Sequence, residues 1–182
     1  PKGGGQIGDV GVIKSKNQNI AVLNTKKENK VILHLVDKLP NNLRDSFIAC
    51  VDIKIRNSTS RNHTATHLLH QSLRDILGEH ITQKGSLVTD KYLRFDFSHF
   101  SKVEAKELRN IEANINSKIL KNIILEEHID LPLAKARELG AIMLFGEKYD
   151  DVVRMIQFDS SLELCGGTHV NATGEILSLI HI

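Results

Sequence analysis

The sequence predicts an α+β fold, with a small N-terminal antiparallel β-barrel followed by a domain whose helices pack on a mostly antiparallel sheet. Three observations carry this expectation. The first third alternates short β-branched runs with turn residues at regular spacing. From Ser60 the apolar period changes to that of a helix. Counting the strand region before that helix, the elements follow in the order β, α, β, β, α, β, α, β, β, the pattern of helices laid on one face of a sheet.

The barrel strands are expected at residues 10–13, 20–23, 31–36 and 47–55, separated by breakers at 17–19, 26–29 and 39–42. Cys50 lies among Ile48, Ala49, Val51 and Ile53 and reads as a buried thiol filling core volume. The polar stretch at 56–60 ends the strand pattern, so the chain divides into a barrel at 1–57 and a second domain at 58–182. A first helix is expected from an N-cap at Ser60 to a stop at Gly78, with Ala65, Leu68, Leu69, Leu73, Ile76 and Leu77 on its buried face. Strands at 81–88 and 92–97 follow. Alternation in the second puts Arg94 and Asp96 opposite Phe95 and Phe97. Ser101 to Glu104 reads as a capping box opening a helix that buries Leu108, Ile111, Ile115 and Ile119. A strand near 123–129, a short helix at 132–139 stopped by Gly140, and strands near 141–144 and 152–158 complete the expected set.

Composition narrows the function classes. The chain has 182 residues, 41% hydrophobic and 25% charged, with two cysteines and no tryptophan. It is therefore long enough to bury a core without disulfides. No apolar run approaches the roughly 20 residues that cross a bilayer. No basic N-terminal region precedes an apolar stretch, so neither a membrane nor a secretory signal is expected, and the cytoplasm is the expected compartment. A net charge of +2 carries no strong polyanion signal. The chain opens on Pro1 inside a glycine cluster and is expected to be a piece of something longer.

The nine histidines are more telling. His63 and His67 lie four apart on the first predicted helix, so both imidazoles leave one face about a turn apart. Cys165 and His169 repeat that spacing around Gly166 and Gly167, which let the backbone turn tightly. One thiolate and three imidazoles match Zn2+ in tetrahedral geometry. His70, His80 and His99 are expected to be non-ligands. The second position of His63-Thr64-Ala65-Thr66-His67 lacks the glutamate base of a helical metalloprotease, which disfavours peptide hydrolysis. Four protein ligands also close the tetrahedral shell, as in structural sites, whereas catalytic sites usually keep a position for water. The spacing leaves both readings open.

The blocks that surround these residues extend the pattern. Arg61 to His70, Gln83-Lys84-Gly85-Ser86, Leu93 to His99, Gly146-Glu147-Lys148-Tyr149 and Glu163 to His169 together closely resemble the editing domain of bacterial alanyl-tRNA synthetases. The opening Gly3-Gly4-Gly5-Gln6-Ile7-Gly8-Asp9 is similar to the glycine-rich motif of the small barrel preceding that domain, with Gly4, Gly5, Gln6, Gly8 and Asp9 as its motif residues. Free-standing trans-editing proteins and the threonyl-tRNA synthetase editing domain share the ligand halves. The resemblance implies the threonyl/alanyl second additional domain fold and zinc held by His63, His67, Cys165 and His169. It also implies hydrolysis of serine or glycine from mischarged tRNA(Ala). A second hydrolytic site is expected wherever one hydroxyl must be excluded from a small synthetic pocket. Thr64, Thr66 and Gln83 are the expected polar partners of that hydroxyl, joined in the catalytic or substrate pocket by Arg94, Asp96, Gly166, Gly167 and Thr168. Lys84, Lys91 and Lys102 are expected to meet acceptor-stem phosphates. The remainder of the synthetase is the expected covalent partner, since no aminoacylation core is present. A free-standing trans-editing deacylase and a zinc-stabilised RNA-binding module without catalysis are the alternatives.

Overall fold

The structure, a computed structural model of the chain, describes residues 1–29, 31–144 and 148–179. Strands β1 (Gly11–Lys14), β2 (Asn19–Glu28), β3 (Val31–Val36) and β4 (Ile48–Val51) form one antiparallel sheet in the order β3-β2-β1-β4. Among the described residues no ladder joins β3 to β4, so the expected barrel is an open sheet. Closure needs tilt and stagger accumulated over more strands than four. Both edge strands stay uncovered, and Cys50 on β4 is half-buried, not a core thiol, with Ile48 beside it exposed.

Helix α1 spans Ile53–Leu77 and starts well before Ser60. Its N-cap is Asp52, whose carboxylate accepts from the Ile55 N–H at 3.0 Å. The polar stretch expected to break the chain is instead helical. Thr59 donates its hydroxyl to the Ile55 carbonyl, a back-bond a helix tolerates. Residues 57 and 58 thus lie within one continuous helix. Gly78 ends it at φ 115°, where its N–H caps the Arg74 carbonyl.

Strands β5 (Thr82–Val88) and β6 (Leu93–Ser98) form an antiparallel hairpin with a register shift between Gln83 and Gly85. Helix α2 (Ala105–Leu120) begins after Glu104, whose N–H donates to the Glu107 carboxylate at 2.7 Å, slightly beyond the capping box expected at Ser101. Strand β7 (Glu126–Pro132), the short helix α3 (Leu133–Glu138), and strands β8 (Val152–Phe158) and β9 (Ser161–Leu164) follow, with an antiparallel sheet order β7-β8-β9. The strand expected at 141–144 reduces to a single bridge from Ile142 to Glu163. Strand β9 takes its place at the sheet edge. Its four residues, with an inward glutamate, show no apolar run that would mark a strand in the sequence. The α+β architecture holds, with every ladder between named strands antiparallel.

The core sits where α1 meets α2 and the hairpin. Ala65, Leu68, Leu69 and Leu73 of α1 pack with Ile111, Ile115 and Ile119 of α2, and with Ile81, Ile156, Phe158 and Val170. Packing α1 this way turns its histidine stripe toward the loops after β9. Among the described residues no helix is long and apolar enough to cross a membrane. Ile115 is fully buried, whereas Leu120 is 83% exposed on the same helix. Ile115→Ala should therefore lower unfolding free energy by about 2–5 kcal/mol. Leu120→Ala should stay within about 0.5 kcal/mol. Urea denaturation of the two variants measures both.

Candidate metal centre

Helical spacing brings His63 and His67 to one face of α1, with ring centroids 5.2 Å apart. The turn after β9 swings His169 over them, 4.5 Å from each ring. Cys165 Sγ lies 3.4 Å from His63 Nε2 and 3.4 Å from His169 Nε2. One ligand atom from each of the four residues falls within 4.8 Å of the others, so the set could hold a metal ion. A tetrahedral ion bound at about 2.0–2.3 Å keeps its ligands roughly 3.4–3.7 Å apart, which the sulfur-to-imidazole separations fit. His63 and His67 are both buried, and His67 Nδ1 has no hydrogen-bond partner. Such an orphaned buried nitrogen is costly unless something else occupies the centre.

Electrostatics favour the ligating form of the sulfur. Burial alone would raise the Cys165 thiol, but hydrogen bonds with His169, His63 and His67 outweigh it and pull the thiol down to about 2. Burial would lower His67, yet the Glu163 carboxylate and Cys165 hold it up at about 9. His169 is driven down to about 3 by burial and by the charge of His67. The imidazoles thus favour the ionised, ligating form of the Cys165 sulfur, while the Glu163 carboxylate favours the protonated form of His67. Glu163 accepts from His70 Nδ1 at 3.1 Å and lies 3.7 Å from His67 Nε2.

The turn carrying Cys165 is shaped from outside and from within. Arg154 on β8 donates to the carbonyls of Cys165 (2.9 Å) and Gly167 (2.7 Å). A Cβ at Gly167 would come within 2.1 Å of the His63 ring, whereas one at Gly166 would meet nothing within 4 Å. The two glycines thus serve different ends, close approach at Gly167 and an open mouth at Gly166.

A cavity of about 410 Å³ opens onto the cluster. It brings together Thr66, Gln83, Gly166, Gly167 and Thr168 with Gly4, Gln6 and Asp9 of the N-terminal segment. Gly5 and Gly8 lie outside its lining and pack against Ser86 and Thr25. Thr64 is fully buried beneath the site and does not line the cavity. Its hydroxyl accepts from the Val170 N–H and lies 3.1 Å from His169 Nδ1, holding that ring. Arg94 and Asp96 are outside as well, paired with each other on the exposed face of β6. Lys84, Lys91 and Lys102 are exposed and away from the lining. Gly146 and Glu147 lie outside the described residues. His80 and His99 pair with each other at 2.9 Å, apart from the cluster.

Sequence reasoning missed Glu163, Arg56, Lys2 and Lys27 in the lining, and Arg154 behind the turn. Glu163 was within reach, because strand alternation puts it on the same side as Cys165 two residues on. Arg154 left no local signal, its partners lying 11 and 13 residues further along.

In sequence the chain is similar to known proteins. Residues 153–182 match the family described as the threonyl and alanyl tRNA synthetase second additional domain. The chain is 56% identical over 173 residues to the alanine–tRNA ligase of Bacteroides fragilis, which covers 95% of this chain and 20% of that protein. It is 52% identical over 185 residues to that of Flavobacterium psychrophilum, covering 97% of the chain and 21% of the relative. With the Porphyromonas gingivalis enzyme it shares 46% over 174 residues, 95% of the chain and 20% of the relative. The chain thus spans about one fifth of the length of the curated relatives it matches.

Gly167→Ala should lower metal affinity at least about tenfold by displacing the His63 ring, while Gly166→Ala should leave it near that of the unaltered chain. Zinc titration against a chromophoric chelator reads both.

Proposed function

The chain belongs to the editing-domain family of alanyl-tRNA synthetases, and from that premise we propose that it hydrolyses the ester joining serine or glycine to the 3′ adenosine of tRNA(Ala). The observation that carries this reading is the joining of a metal-capable cluster to a polar cavity. In this reading Zn2+ is the ion, held by His63, His67, Cys165 and His169. When bound it supplies positive charge that can polarise the ester or anchor the amino group.

The remaining work belongs to the chain's own side chains. Gln83 spends its amide nitrogen on the Ser86 hydroxyl at 3.1 Å, which leaves its carbonyl oxygen to accept a serine hydroxyl. Thr66 spends its proton on the Asn62 carbonyl and likewise keeps lone pairs to accept with. A site built to satisfy a hydroxyl loses free energy when the ligand lacks one, which separates serine from correctly charged alanine; glycine has no hydroxyl and gains nothing from this contact. Lys2, Lys27 and Arg56 stand around the cavity and suit the phosphates of the 3′ end, although Arg56 is already paired with Asp9. Lys84, Lys91 and Lys102 would meet the acceptor stem without base specificity. The rest of the synthetase and the tRNA are the partners of this reading, and the cytoplasm is its compartment.

One observation favours a second reading, a zinc-stabilised RNA-binding module without chemistry. All four residues of the cluster converge closely enough to close a tetrahedral shell. A deacylation assay separates the two. The zinc-loaded chain should release serine from seryl-tRNA(Ala) at least about a hundredfold faster than alanine from alanyl-tRNA(Ala), the discrimination a hydroxyl-reading site can reach. Cys165→Ala should abolish that release while far-ultraviolet circular dichroism stays unchanged. Equal rates on both substrates would reject the editing reading. An inactive zinc-loaded chain that unfolds on Cys165→Ala would establish the module.

A further inference from the structure

Gln6 belongs to the glycine-rich N-terminal segment, yet it is buried against His63, 57 residues further along the chain. Two backbone bonds place it there. The Val88 N–H donates to the Gly5 carbonyl at 2.9 Å, and the Ile7 N–H donates to the Val88 carbonyl at 3.1 Å. Gly5 sits at φ 81°, with no room for a Cβ, which would fall 2.1 Å from Ser86 Oγ. The chain on either side of Gln6 is thereby stitched to the end of β5, and its side chain is aimed at α1.

The side-chain oxygen of Gln6 gathers three partners. The Thr168 backbone N–H donates to it at 2.9 Å, the Thr168 hydroxyl at 3.2 Å, and His63 Nδ1 lies 2.7 Å away. A backbone N–H can only donate, so the amide atom facing Thr168 is the carbonyl oxygen and not the NH2 group. His63 Nδ1 at that distance must then carry a proton, because two lone pairs would repel. Neutral His63 is left with its lone pair on Nε2, the nitrogen that faces Cys165 Sγ.

We propose that Gln6 is a positioning residue of the metal centre, selecting the His63 tautomer that presents Nε2 while tying the Cys165–His169 turn to α1 through Thr168. This rests on the metal reading above and extends it, since the glycine-rich segment becomes part of the ion's support. Gly167 belongs to the same device, for a Cβ there would also come within 2.8 Å of the Gln6 oxygen. Partners that orient a ligating imidazole through its second nitrogen typically change metal affinity 10–100-fold when removed.

The test uses Q6M, which keeps the shape but removes the acceptor, and Q6E, which keeps an acceptor oxygen. Long-range 1H–15N correlation spectra of the metal-free chain report the His63 tautomer directly. Chelator competition reports zinc affinity, and cobalt absorption reports the ligand field. We expect His63 protonated on Nδ1 in the unaltered chain and in Q6E, and a mixed tautomer in Q6M. Zinc affinity should fall about 10–100-fold in Q6M, with altered cobalt bands, and recover in Q6E to within about threefold. An Nε2-protonated His63 in the unaltered metal-free chain overturns the proposal without any variant. So does a folded Q6M that binds zinc as tightly as the unaltered chain, or a Q6E as weak as Q6M. If the unaltered chain takes up no zinc, the functional reading fails instead, and the tautomer spectra still judge Gln6.

Discussion

The half-buried sulfur of Cys165 and the imidazoles gathered around it organise this molecule. Taking a thiolate charge out of water is expensive unless donors surround it. Here the polar partners come from two elements remote in sequence, His63 and His67 on α1 and His169 beyond the glycine turn. The cost of separating them couples the position of the turn to the face that α1 presents. The face is in turn set by the core, because Leu68, Leu69 and Leu73 must meet Ile111 and Ile115. Core packing and site geometry are one constraint seen from two sides of a helix.

Around that cluster the supporting contacts come from segments that differ in kind. Arg154 restrains the turn through main-chain carbonyls, Thr64 holds the His169 ring from beneath, and Gln6 holds the His63 ring from the N-terminal segment. Glu163 faces His67 and His70 together. Each ring of the cluster thus has a polar partner outside it, the arrangement by which outer contacts tune a metal site. Gln6 and Glu163 also line the cavity, whereas Thr64 and Arg154 hold the cluster from outside its lining. The segment leading into the open N-terminal sheet places Asp9 beside Arg56 of α1, and both line the cavity with Gly3 and Gly4.

Much of this was legible in the residues. The buried faces of α1 and α2 follow from apolar spacing alone, and the ligand pairs from their matched separation of four. What escaped was whatever depended on partners far along the chain. Asp52 caps α1 through one side-chain bond, and the polar residues after it look like a break until Thr59 is seen bonding within the helix. Strand β9 has only four residues and an inward glutamate, so it shows no apolar run, while 141–144 shows one and forms only a bridge. The open sheet in place of a barrel, and the half-exposed Cys50 on its edge, depend on strand closure, which no local pattern encodes.

By itself the sequence determined the α+β class, the four metal-capable residues and the resemblance they carry, because periodicity and spacing are local properties that short-range sterics translate directly into facing side chains. Only the tertiary structure decided which polar residues lie beside the metal-capable cluster. It moved Thr64 from the cavity to the support of His169, set Arg94 and Asp96 apart on an exposed strand, and brought in Glu163, Arg154 and Gln6. The physical reason is that a hydrogen bond is satisfied by proximity and direction in space, and 162 residues of chain separate Gln6 from the Thr168 amide whose bond fixes its role.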